Sequence, residues 1–206
     1  MFEKHFQKAF KEVFLHDLMV LFTFKEIIDL AIMVLGLGYI FMGSMQRPRT
    51  PESFMQASRF DWQGFQWAIL ITAPAIVLHE LAHKFAAMFF GLLATFHASY
   101  FGLGLGIFLR VIQAPFIIFV PGYVAIQGAS SLEAAVTAFV GPGMNLLLFV
   151  IAWLVLQKAR RLTFHQKFLW HATKQINLFL FFFNMIPIPP FDGFTVVKGL
   201  LSVLTS

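Results

Sequence analysis

The chain has no cysteine and very little charge: of its 206 residues, 15 are Lys or Arg and 10 are Asp or Glu, 12% in all. The absence of cysteine excludes a disulfide-stapled secreted domain. It also removes thiolates as nucleophiles or ligands, so any metal must sit on His, Asp or Glu. The scarcity of charge excludes a disordered chain and argues against a domain in water, where about 25% charged residues is usual. What is present instead is apolar: 59% hydrophobic residues, 28 of them Phe, and a mean hydropathy of +0.78. A bilayer is the expected solvent for one domain of this length. The net charge of +5 comes from basic residues in short segments between apolar runs. Anionic lipid headgroups account for them, and no nucleic-acid partner is expected.

Residues 1–25 read as an amphipathic helix lying at the membrane interface, with Phe2, Phe6, Phe10 and Phe14 on one face and Lys4, Lys8 and Lys11 on another. Charge persists to Glu12 and Asp17 with no small-residue cleavage site, which is not the pattern of a signal peptide. Residues 26–206 then read as a single transmembrane domain with spans near 27–45, 65–96, 131–156 and 170–186 and further apolar segments at 101–126 and 193–205. The expected fold is an all-α polytopic membrane protein, a helical bundle. Within 101–126, Arg110, Gln113, Pro115 and Pro121 break the apolar run, and β-branched and aromatic residues gather around Ile117–Ile126. That stretch is expected to be re-entrant or β-like. Ser130 and Glu133 have capping-box spacing before an apolar run, which assigns Glu133 to the start of a helix.

The segment 65–96 is interrupted by His79, Glu80, His83 and Lys84. His79-Glu80-Leu81-Ala82-His83 is an HExxH sequence: on a helix, residues i and i+4 share a face, so two imidazoles reach one Zn²⁺ and Glu80 stands beside it as general base. With 7 His in 206 residues, the pattern arises by chance in about 0.7% of such chains. A cluster of ionisable groups in an apolar helix also costs roughly 3 kcal/mol or more per charge, and no helix needs it for packing alone. A catalytic zinc takes three protein ligands and keeps one position open. Asp29, Glu133, His171 and Asp192 are the other candidate donors in apolar segments. Glu133 is claimed by its helix start, and Asp29 and His171 fall toward helix ends. Asp192 follows a helix broken by Pro187, Pro189 and Pro190, which lets its carboxylate turn inward. Of the 10 acidic residues, Glu80 and Asp192 are the two expected deep in apolar surroundings. His97, just past the helix carrying HELAH, could gate or assist, although a loop histidine is more often a bystander, and His5, His16 and His165 in the charged flanks receive no role.

HELAH at 79–83, Gly141-Pro142-Gly143-Met144-Asn145, and the stretch from Asn184 through Pro187 to Asp192-Gly193 occur in the order of the HExxH, GPxxN and NxxPxxxxDG motifs. The chain thereby resembles the site-2 protease family of intramembrane zinc metalloproteases over about residues 65–200, in a short form without PDZ-like or CBS-like domains. The resemblance implies a three-helix catalytic core, one zinc per chain held by His79, His83 and Asp192, and Glu80 as general base. It implies that Asn184 contacts the substrate carbonyl or its oxyanion and associates Asn145 with the same site. It also implies membrane-protein substrates, a place in the cell membrane and an active site nearer the cytoplasmic side. Gly193 is followed by Phe194 where many relatives have a second Gly. The region of Pro121-Gly122-Tyr123 resembles the family's membrane-associated strand, an edge onto which an unwound substrate adds.

Counting Lys and Arg conflicts with that orientation, since Arg47, Arg49, Arg59, Lys158, Arg160, Arg161 and Lys167 fall on the opposite side from Lys4, Lys8, Lys11, Lys25 and Arg110. Two rival readings stand beside the first. One is a CAAX-processing or heat-shock type of membrane zinc protease with Glu133 as third ligand. The other is a non-catalytic zinc-binding scaffold or transporter.

Overall fold

The computed structural model describes residues 21–43, 60–115 and 120–205. The expected interfacial helix lies outside them as far as residue 20, as do Arg47, Arg49 and Arg59 and positions 117–119 of the expected extended piece. Among the described residues the order is α1 (Phe24–Phe41), α2 (Trp62–Phe89), β1 (Leu93–Ala98), α3 (Tyr100–Val111), β2 (Gly122–Gln127), α4 (Ser131–Lys158), α5 (Phe164–Asn184) and α6 (Asp192–Leu204).

The helix starts follow local chemistry. The side chains of Thr23, Ser130 and Thr163 each accept a hydrogen bond from the backbone N–H three residues on, and those of Glu26, Glu133 and Gln166 accept one from the cap's own N–H, satisfying otherwise orphaned donors. Glu133 thus sits at the exposed start of α4, its carboxylate 2.8 Å from Ser130 N.

α2 and α4, at 28 residues each, are long and apolar enough to cross a membrane. At about 1.5 Å per residue both exceed the ~30 Å hydrocarbon layer. The other two stretches expected as spans are more polar as they fold: α1 carries Lys25, Glu26 and Asp29 near its start, and α5 carries Lys167 and Lys174. α3 has 12 residues, about 18 Å, too short to cross.

The helix expected to run through 65–96 ends earlier, at Phe89. Gly91 takes φ 73°, a left-handed conformation cheap only for glycine, while its N–H bonds Met88 O at 2.9 Å and Leu92 N–H bonds Ala87 O at 3.0 Å. That arrangement closes the last turn and reverses the chain into β1. β1 pairs antiparallel with β2, Leu93 facing Gln127 and Ala98 facing Gly122. The expected β-like piece is therefore half of a hairpin-like sheet whose first strand lies in the stretch expected as helix.

α4 is the centre of the bundle: α2, α5 and α6 all pack against it, and α1 packs on α2 and β1. The helices carrying the three motifs, with α5 ending at Asn184, thus meet around α4. Met33 and Leu37 of α1, Ile76 of α2 and Phe96 of β1 form an apolar core between these elements, with Val124 of β2 packed on it.

Candidate metal centre

α2 brings His79 and His83 to one face, one turn apart, both under 9% exposed. They point at α4, where Gly141 leaves room. A Cβ there would collide with the His83 ring and crowd His79 Nε2, so only glycine admits both imidazoles against the α4 backbone. The third arm is Asp192, the first residue of α6. Gly193 beside it packs so closely on the Met185 carbonyl that a side chain would overlap it, which sets the first turn of α6 tightly against the end of α5.

The three donors converge. His79 Nε2 and His83 Nε2 are 3.0 Å apart, and Asp192 Oδ2 lies 3.2 Å from the first and 3.4 Å from the second. A tetrahedral zinc with bonds of ~2.0–2.1 Å places its ligands ~3.3–3.4 Å from one another. The spacing is that of one first-row metal ion.

Hydrogen bonds behind the rings fix which nitrogens face inward. His83 Nδ1 is 2.8 Å from the Thr137 carbonyl, which can only accept, so this nitrogen carries the proton. The Asn145 amide donates both its hydrogens, to Ala75 O at 3.0 Å and Asn177 Oδ1 at 2.9 Å. Its Oδ1 is left to accept from His79 Nδ1–H at 2.7 Å. With Nδ1 protonated in both rings, each neutral imidazole turns an Nε2 lone pair toward the other and toward a carboxylate. Three lone-pair donors facing one another in a buried site fit a bound cation, and two imidazoles with one carboxylate are a zinc ligand set.

The donors open onto a cavity of about 450 Å³ lined by Ile76, Val124, Ile126, Phe179, Leu180 and Phe183 among others, with Glu80, Asn184 and Asp192 as polar points on its wall. Glu80 is 6% exposed. Of the residues singled out from the sequence, His79, Glu80, His83, Asn184 and Asp192 line this space, while Asn145 stands behind His79 and is fully buried. Glu133 is at its cap, His171 is exposed, and His97 faces Asp29 at 4.0 Å with its ring over Tyr123. Glycines 102–106 do not line the cavity, whereas Pro190 does.

Two supporting groups were not foreseen. Asn177, 1% exposed, orients Asn145 and is itself anchored to Thr173 O at 2.8 Å. Its signal in the sequence is an amide two helical turns before Asn184, which places the two on one side of the helix. The Thr137 carbonyl has none, since every residue carries one.

The expectation that Glu80 and Asp192 are the deep acids is corrected. Glu26 and Asp29 of α1 are 2% and 0% exposed, more buried than Asp192. Both sit near the start of their helix, but α2, β1 and the Tyr100 side chain close over them, so position along the helix misjudges their depth. Glu26 is paired with Lys84 and accepts from Phe96 N at 2.7 Å. Asp29 is held by Lys25 at 3.0 Å and by the Tyr100 hydroxyl at 2.5 Å.

No family model matches the chain. Over 183 residues it is 34% identical to a protein of Methanocaldococcus jannaschii named "Putative zinc metalloprotease", a match covering 86% of this chain and 85% of that protein. Similarity at that level across most of both lengths, joined to a buried HExxH pair and a carboxylate at metal-ligand spacing, means that the chain belongs to the zinc metalloprotease family of that protein.

Proposed function

We propose that the protein is an intramembrane endopeptidase of the site-2 type, hydrolysing peptide bonds in or near transmembrane segments of membrane proteins. One observation carries the reading above the others: the donors and Glu80 lie on the wall of an apolar cavity, between two helices of membrane-crossing length. The outward faces of those helices support it, with Leu70 on α2 and Leu147, Ile151 and Trp153 on α4 exposed as lipid-facing residues would be. In this reading the protein crosses the bilayer several times, with α1 and α5 completing the set, and its active site lies nearer the cytoplasm.

His79, His83 and Asp192 would hold one zinc per chain, which would supply Lewis-acid polarisation of a carbonyl and activation of water. Glu80, on the cavity wall beside the donors, takes the proton of the attacking water and returns it to the leaving amine. Asn184, at the cavity wall, donates its amide to the developing oxyanion. Asn145 holds the His79 ring so that its Nε2 faces the metal. β2 runs along the cavity, with Gly122, Tyr123, Val124 and Ile126 on its wall, and offers a backbone edge to an unwound apolar segment. Opening a substrate helix exposes its carbonyl, and the strand edge satisfies the backbone groups thus freed.

The test is purification in lipid without chelator, followed by metal analysis and incubation with a transmembrane peptide. One zinc per chain and cleavage in the wild type, with zinc kept but cleavage lost in Glu80→Gln, is the expected result. Equal cleavage by Glu80→Gln and wild type would sink the mechanism. Bound zinc with no hydrolysis of any membrane peptide would favour a scaffold or transporter instead.

A further inference from the structure

A second buried polar assembly begins at the residue directly after the HExxH pair and is not part of the metal centre. Lys84, the residue after His83, is 3% exposed and pairs with Glu26 of α1, which is 2% exposed. The Lys84 ammonium also lies 4.7 Å over the Phe22 ring. The same Glu26 oxygen that meets Lys84 accepts from the backbone N–H of Phe96 in β1, and its other oxygen accepts from Thr23 N at 2.8 Å. One carboxylate therefore ties three elements: α1, the metal helix α2 and strand β1.

The position of that tie within the sheet matters. Alternate N–H groups of a strand point to opposite edges. Phe96 directs its N–H at Glu26, and Ala98, two residues on, turns its N–H to the same edge, on the side where Asp29 lies one helical turn further along α1. The edge of β1 away from β2 is thus taken up by α1 side chains, leaving β2 as the edge beside the cavity. A charge pair this buried is poor value as a stabiliser, because desolvation offsets most of its attraction; its better-attested use is to specify one arrangement over others.

We infer that Glu26 and Lys84 are positioning residues that hold the β1–β2 sheet in one register against the metal helix, so that a peptide laid on β2 meets the catalytic groups correctly placed. The inference rests on the peptidase reading above. The pair touches neither the metal donors nor the cavity, so its loss should weaken productive binding of an extended segment more than it alters the chemistry.

The full chain, zinc-loaded in lipid, serves for the test. Glu26→Ala is expected to raise KM for an apolar transmembrane peptide by about tenfold or more, with kcat and zinc content little changed. Glu26→Gln keeps one oxygen, which can still bridge Phe96 N–H and Lys84 while the Thr23 N–H loses its acceptor, and is expected to recover part of the loss. A second readout does not depend on catalysis: the chain has no cysteine, so spin labels placed by Leu70→Cys on α2 and Tyr123→Cys on β2 report the sheet-to-helix distance directly. The distribution should broaden in Glu26→Ala and Lys84→Met and stay narrow in Glu26→Gln. KM and distance distribution both unchanged in Glu26→Ala and Lys84→Met would overturn the inference. If Glu26→Ala does not fold, Lys84→Met decides by the same readouts. A wild type that cleaves nothing defeats the peptidase reading, while the distance measurement still decides whether the brace exists.

Discussion

The molecule contains two buried polar clusters that meet α2 at neighbouring residues, His83 and Lys84, and they differ in how their charges are matched. Around Glu26 and Asp29 every anion has a partner within the chain: Lys84 and backbone N–H groups for the first, Lys25 and the Tyr100 hydroxyl for the second. Around His79, His83 and Asp192 the donors present lone pairs to one another, and their hydrogen-bond donors are all turned away to Asn145 and Thr137. Burial without internal compensation is costly, so the second cluster is the one built for an external cation. Neither burial nor acidity alone separates the two, since Glu26 and Asp29 are buried more deeply than Asp192.

That contrast is open to attack at each group. Removing a donor should act most strongly: His79→Ala or Asp192→Ala is expected to abolish both stoichiometric zinc and cleavage, read by metal analysis and peptide assay. A wild-type zinc content in Asp192→Ala would show that the convergence of the three is accidental. Glu80→Gln should keep zinc and lose about 10²–10⁴-fold in kcat. In the compensated cluster, Lys84→Met strands Glu26 and should cost as much as about 3–5 kcal/mol of stability, seen as a lower unfolding midpoint, with one zinc still bound. Loss of zinc there at unchanged stability would erase the distinction between the clusters. Asn145→Ala leaves the His79 ring free to turn and should weaken zinc about 10–100-fold, measured by competition with a chelator. Glu133→Ala, at an exposed helix start, should leave zinc content and cleavage within about twofold of wild type; loss of metal would revive it as the third ligand.

The readable part of the site was the part encoded by local spacing. HELAH puts two rings on one helix face whatever surrounds it, and the proline cluster at 187–190 marks where the following carboxylate turns in. The start of α4 was readable for the same reason, because a capping box closes within four residues. β1 was not, although Gly91 was in view: an apolar run ending at Phe89 and one continuing to Phe96 have the same composition, and the choice rests on pairing with β2 nearly thirty residues away. The depth of Glu26 and Asp29 was hidden likewise, since it depends on Lys84, Phe96 and Tyr100 arriving from other elements.

Residue types and short-range spacing therefore account for the apolar class of the chain, its helix caps, the pair of histidines on one helix face and the glutamate beside them. The convergence of Asp192 on them, the Asn145–Asn177 support and the brace from α1 to β1 arise only when helices from distant parts of the chain pack. The physical reason is the range of the forces: a helical turn is decided by neighbours within four residues, whereas a buried lone pair or charge is tolerated only once its partner, or its metal, is brought to it by the fold.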